Sequence, residues 1–269
     1  MSAATVDFPH LDVSSTSRVP FSRLVKVELR KSYDTRAGFW LLLSIGLLTA
    51  AVMIIQLAVV VVQDLNVSYN DFLTSTSYSI AVLLPVLGIL LLTSEWSQRS
   101  AMVTFSLEPH RPRVVAAKVV VGMILALAAV LVALVLATAC NALYGPLSGN
   151  TVHWDASVAQ TSAFALLQVL GMLTGFAFAA LFLNTPAAIV VYMIYSFVLP
   201  GLFELGSHLI GWFGDLRPWI DFSNAQDPLI DPALSMTGQD WAHFAVSGFI
   251  WLVVPLAIGM ARVLRAEVK

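Results

Sequence analysis

FWLLLSIGLLTAAVMIIQLAVVVV, Phe39 to Val62, carries no charged side chain, and Gln56 is its one strongly polar interior residue. A hydrocarbon core about 30 Å thick is crossed by roughly 20 apolar residues of helix. The stretch therefore reads as a membrane span. It starts too late, runs too long for the apolar core of a signal peptide, and lacks a plausible cleavage site, so it reads as a permanent helix. Five more stretches qualify, at about 72–93, 119–144, 160–183, 187–210 and 241–264. The second opens rich in Thr, Ser and Tyr, and Pro200-Gly201 is expected to interrupt the fifth. Asn184-Thr185-Pro186 leaves only a tight turn between the fourth and fifth, making them antiparallel neighbours.

Composition agrees. The 269 residues are 58% apolar and 11% charged, against about 45–50% and about 25% in ordinary globular domains. Mean hydropathy is +0.84. So little charge is too little to cover a water-exposed surface, which sets aside a soluble enzyme, a nucleic-acid binder and a disordered chain. The net charge of −2 says less than how the charges are distributed. Cys140 is the single cysteine, so neither an intrachain disulfide nor a cysteine-rich metal site is available.

Lys and Arg avoid the span interiors, where each costs about 2.5–3.5 kcal/mol. Arg18, Arg23, Lys26, Arg30, Lys31 and Arg36 precede the first span, and Arg99, Arg111, Arg113 and Lys118 lie between the second and third. Arg262, Arg265 and Lys269 end the chain. Six spans put all of these on one side and leave Arg217 alone on the other, with Asp64, Asp71, Asp155, Asp215, Asp221, Asp227, Asp231 and Asp240. The positive-inside rule then places both termini in the cytoplasm of a multi-pass plasma-membrane protein. The expected organisation is a flexible tail (1–20), an amphipathic interfacial helix (21–38), one transmembrane domain (39–264) and a short cytoplasmic tail (265–269).

Phe21, Leu24, Val25, Leu29 and Tyr33 recur at helical spacing among Arg23, Lys26, Arg30 and Lys31. This predicts an amphipathic helix lying apolar side down in the headgroup layer and turning into the first span at Gly38. Glu95 to Lys118 is too short for a domain and too long for a turn; a short helix within Ser97–Leu107 would be stopped by Pro109 and Pro112. Its mixed charges suit docking to a protein surface, or simple solvation. Ile210 to Asp240 mixes Trp and Phe with the Asp-Pro pairs at 227–228 and 231–232. That pattern predicts short helices half sunk in the outer interface, acting as a gate or merely as a cap.

No catalytic pattern is found. G-x-x-x-x-G-K-[ST], H-E-x-x-H and G-x-S-x-G are absent, and the five histidines lack ligand spacing. No metal site is expected. Polar groups inside spans are functional candidates by default. Gln56, Asn141, Gln168 and Glu204 are the candidates for a translocation path; the plainer reading has the amides bonding between helices and Glu204 solvated or paired with His208 at i,i+4. Gly171 and Gly175 form a G-x-x-x-G that allows close helix contact.

The order Glu95-x-x-x-Arg99-Ser100, Leu107, Pro109, Arg111 or Arg113, Lys118, together with LRKSYDTRAGFWLL from Leu29 to Leu42, resembles the permease subunits of type-2 ABC transporters, especially small-drug and antibiotic exporters. Arg99-Ser100 stands where that family usually has Gly-Thr. The resemblance implies an all-α membrane fold of six spans. It also implies an elbow helix at Phe21–Arg36, a coupling helix within Glu95–Lys118, and short re-entrant helices within Pro200–Asp240. Contact with an ATP-binding partner would then fall to Glu95, Trp96, Arg99, Ser100, Glu108, Pro109, Arg111, Arg113 and Lys118. Two permeases would assemble with two ATPases; ATP and Mg would be bound by the partner, and no cofactor by this chain. The expected role is ATP-driven export of a lipophilic small molecule. A membrane scaffold that recruits a cytoplasmic partner through the same loop is the alternative.

Overall fold

The computed structural model describes residues 19–98, 100–155, 157–231 and 235–265. Among them, Phe21–Asp34 forms α1, Arg36–Val62 α2, Tyr69–Ser97 α3, Ala101–Leu107 α4, Arg111–Ser148 α5 and Val158–Phe182 α6. Thr185–Met193 (α7) and Leu199–Leu209 (α8) are joined by a π turn, Ile194–Val198. Gly211–Ile220 is α9 and Asp227–Ile230 is α10. Gly238–Gly248 (α11) and Val254–Arg265 (α12) are joined by a second π turn, Phe249–Val253. Six helical units are long and apolar enough to cross a membrane, and no strand forms among the described residues. Exposed Leu47, Ile54, Ile55 and Val135, each more than 60% accessible, give the bundle an outer face suited to lipid rather than water. The architecture is that of an all-α, multi-pass membrane protein.

Local chemistry fixes the helix ends. Ser68 with Asp71, Ser157 with Gln160, and Thr237 with Asp240 form reciprocal capping boxes that satisfy otherwise orphaned N–H groups. Gly149, at φ 75°, closes α5 in the left-handed conformation. Asn184 accepts the Ala187 N–H at 3.0 Å and starts α7 directly after α6.

α3 and α6 form the centre, with 61% of the most apolar window of α3 buried against 11% for the α7–α8 unit. Pro85 of α3 lies against the backbone of Gly175, where any Cβ would collide with the Pro85 carbonyl, and its ring touches the Gly171 position. G-x-x-x-G thus seats α6 on α3 within one chain. One apolar core fills the space between α2, α3 and α5; a second fills that between α3, α6, α7 and α12.

Several expectations need correction. The turn out of α1 falls at Thr35, whose hydroxyl accepts the Gly38 N–H at 3.2 Å; Gly38 is already helical and packed too tightly on Ser32 for a Cβ. The buried face of α1 has Glu28 and Ser32 at its centre, with Val25 and Leu29 packed on the core, while Phe21 and Tyr33 are exposed. Pro112 does not stop a helix; it sits in the first turn of α5, where its missing N–H costs nothing. α5 therefore starts well before the expected span.

Pro200-Gly201 does not interrupt the fifth span. A proline in an α-helix loses one hydrogen bond and crowds the carbonyl four residues back, here Ser196. The π turn widens the helix at that point, and the Leu199 N–H bonds to the Ile194 carbonyl instead. Pro255 follows Phe249–Val253 in the same register. The expected short helices in 210–240 are α9 and α10. Residues 1–18 and 266–269, which hold most of the expected tails, lie outside the described residues.

Candidate functional site

Four charged side chains meet where α1, the end of α3, α4 and the start of α5 converge. Glu28 accepts a hydrogen bond from Lys118 at 2.5 Å on one oxygen and from Lys31 at 2.7 Å on the other. Lys31 also donates to Glu95 at 2.7 Å, and Lys118 lies 3.4 Å from the same Glu95 oxygen. Thr104 of α4 donates to that oxygen at 3.0 Å. Lys118 completes its coordination at the Leu91 carbonyl, 3.1 Å away. Glu28, Glu95 and Lys118 are buried and Lys31 is half-buried. Two carboxylates and two ammonium groups form a closed, neutral ring. Burial by itself would lower the Lys31 pKa, but hydrogen bonds and charge from Glu28 and Glu95 outweigh it and hold it above the ordinary lysine value.

α4 is fixed to this ring and to its neighbours. The Ser100 N–H bonds to the Glu95 carbonyl at 2.9 Å. Trp96 packs on Phe105, and the Arg111 guanidinium lies 4.9 Å above the Phe105 ring. Arg111 also donates to the Val263 and Leu264 carbonyls, tying the start of α5 to the end of α12. Glu108 is buried and accepts from Arg113 at 3.0 Å. Pro109 turns the chain into α5, its carbonyl accepting the Arg111 N–H. Met102, Val103 and Leu107 of α4 stay exposed, at 55%, 61% and 77%. A cavity of about 590 Å³ opens beside the ring, walled in part by Arg23, Gln98, Val103 and Leu107.

Glu95, Trp96, Ser100, Glu108, Pro109, Arg111, Arg113 and Lys118 thus gather around one short helix; Arg99 lies outside the described residues. The acids and Lys118 face inward, so they brace α4 while its apolar residues meet the surroundings. Glu28, Lys31 and Thr104 belong to the same cluster and were missed. Glu28 is an acid inside a mostly basic helix, and its partner Lys118 lies 90 positions away, so spacing alone gives no signal.

The four candidate path residues do not converge. Gln56 donates weakly to the Asp71 carbonyl at 3.4 Å, and Asn141 donates to the His153 carbonyl at 3.2 Å; the side-chain oxygen of each is buried without a partner among the described residues. Glu204 is half exposed and pairs with Arg217 of α9 as well as with His208, which lies 2.9 Å away. Gln168 lines a second cavity, of about 420 Å³, bounded by α3, α6, the first π turn and the segment between α9 and α10. Tyr195 and Trp251, one from each π turn, meet there with ring centres 5.0 Å apart. Groups able to hold a metal ion are absent among the described residues. Compared with known proteins, the chain matches no family model and no curated sequence.

Proposed function

We propose that this chain is the membrane-spanning permease subunit of an ATP-driven ABC transporter, exporting a lipophilic small molecule with energy supplied by a separate ATP-binding subunit. The observation that carries the reading is α4. It is a short helix outside the spans with exposed Met102, Val103 and Leu107, braced by Thr104 against a charged ring that also joins α1, α3 and α5. A push on such a helix reaches the interfacial helix and two spans at once. The sequence has no P-loop to generate that push, which fits an engine on another chain.

The physics asks for two packings of the bundle and a partner that grips α4 differently in its nucleotide states. In the usual arrangement of this class, two permeases meet two ATPases in a plasma membrane, with α4 and both termini on the cytoplasmic side. The partner binds ATP and Mg.

The reading is tested by reconstituting the chain with its ATP-binding partner and measuring ATP hydrolysis and export. Leu107→Asp, which charges the exposed tip of α4 without touching the ring, should abolish coupling while leaving the thermal midpoint of the chain unchanged. Full coupling after Leu107→Asp combined with Met102→Asp would overturn the permease reading. Partner binding without ATP-dependent flux would favour a scaffold.

A further inference from the structure

The cavity of about 420 Å³ falls within the ordinary range for small-ligand sites. Two features set it apart from a packing void. Gln168, 5% exposed, lines the cavity and makes no side-chain hydrogen bond among the described residues, which leaves its amide available to a ligand. Both π turns, which are rare and frequently mark functional sites, contribute to its lining, the first with Tyr195, Ser196 and Phe197 and the second with Trp251. The first turn thus supplies the Tyr195 and Phe197 rings and the second Trp251, and Tyr192 lies 6.1 Å from Tyr195.

Charge at the mouth is unbalanced. Arg217 pairs with both Glu204 and Asp221, and Asp221 also accepts the N–H groups of Ser223 and Asn224. Asp227, exposed on the rim, accepts from the Asn224 side-chain amide at 3.0 Å; among the described residues no cation lies within ion-pair distance of it, and Arg217 acts on it only from farther off. A cation held against aromatic faces is favoured, more so when partly desolvated.

We propose that this cavity binds a monovalent organic cation with an apolar ring body, its charge drawn in by Asp227 and held against Tyr195 and Trp251, and its N–H groups bonded to the Gln168 carbonyl. As a substrate site this rests on the permease reading. As a binding site it needs neither ATP nor a partner chain.

The full chain in lipid nanodiscs is tested by equilibrium dialysis against tetraphenylphosphonium, its same-shaped anion tetraphenylborate, and ethidium, with empty nanodiscs to subtract partitioning. Tetraphenylphosphonium should saturate one site per chain, and tetraphenylborate should show no saturable binding. Asp227→Asn should weaken tetraphenylphosphonium by about fivefold, and Trp251→Leu by about tenfold. Gln168→Leu should weaken ethidium by about fivefold while leaving tetraphenylphosphonium unchanged. Saturable tetraphenylborate binding, or cation binding unaltered by Asp227→Asn and Trp251→Leu, would overturn the proposal. If Trp251→Leu fails to fold, Asp227→Asn at the surface still decides. Absent binding alongside intact ATP coupling would remove this site and leave the permease reading; binding without coupling would do the reverse.

Discussion

The two ends of the bundle hold their charges in opposite ways. Around α4, Glu28, Lys31, Glu95 and Lys118 neutralise one another, three of them buried and Lys31 half-buried. At the other end, Arg217 is shared between Glu204 and Asp221, His208 also meets Glu204, and Asp227 is left on the rim. A closed buried ring has no capacity for an outside charge, so its role is to join helices. An acid rim with one shared cation has capacity left over. The contrast separates a mechanical junction from a surface suited to a ligand.

The largest expected effect is at the closed end. Lys118→Met leaves two buried carboxylates sharing one half-buried lysine and should cost about 3–5 kcal/mol, read as a lower unfolding midpoint in denaturant. Adding Glu28→Gln should recover part of that loss, and the double-mutant cycle gives the coupling directly. Additive losses would mean the ring is not a unit. At the open end Arg217→Met should cost less, about 1–3 kcal/mol, because two backbone N–H groups still serve Asp221. An equal or larger loss there would erase the distinction between the ends.

The smallest effect is at Lys31, which is partly solvated; Lys31→Met should cost at most about 1 kcal/mol near neutral pH. Its folded pKa is raised, so its contribution is complete below the ordinary lysine value, about 10.4, and disappears as pH climbs through the higher folded value. Unfolding midpoints measured up to and beyond that range should therefore fall in the native chain, with the Lys31-dependent part of the fall absent from Lys31→Met.

The spans were legible because twenty apolar residues in a row have few other fates, and the helix ends fall within a few residues of the expected ones at α6 and at the α7–α8 unit. Sequence marked where Pro200 sits but not its remedy, since a widened turn depends on neighbours that fill the extra space. The α4 cluster was half visible: Glu95 and Lys118 stood out at the ends of their loop, whereas Glu28 required knowing that α1 lies against α5. Gln168 was picked out as a polar group inside a span, but nothing local pointed to Tyr195 or Trp251, whose meeting depends on two distant turns coinciding.

Each of those turns is one residue more than a regular helix needs. Deleting a single residue within Ile194–Val198 would restore the tighter ladder and swing everything after it by about 100° about the helix axis. Glu204 would rotate away from Arg217, and α8 would offer lipid a different stripe of side chains. The surplus residue thus acts as a phase setting, through which a one-codon deletion re-aims half a span while every other residue in it stays the same.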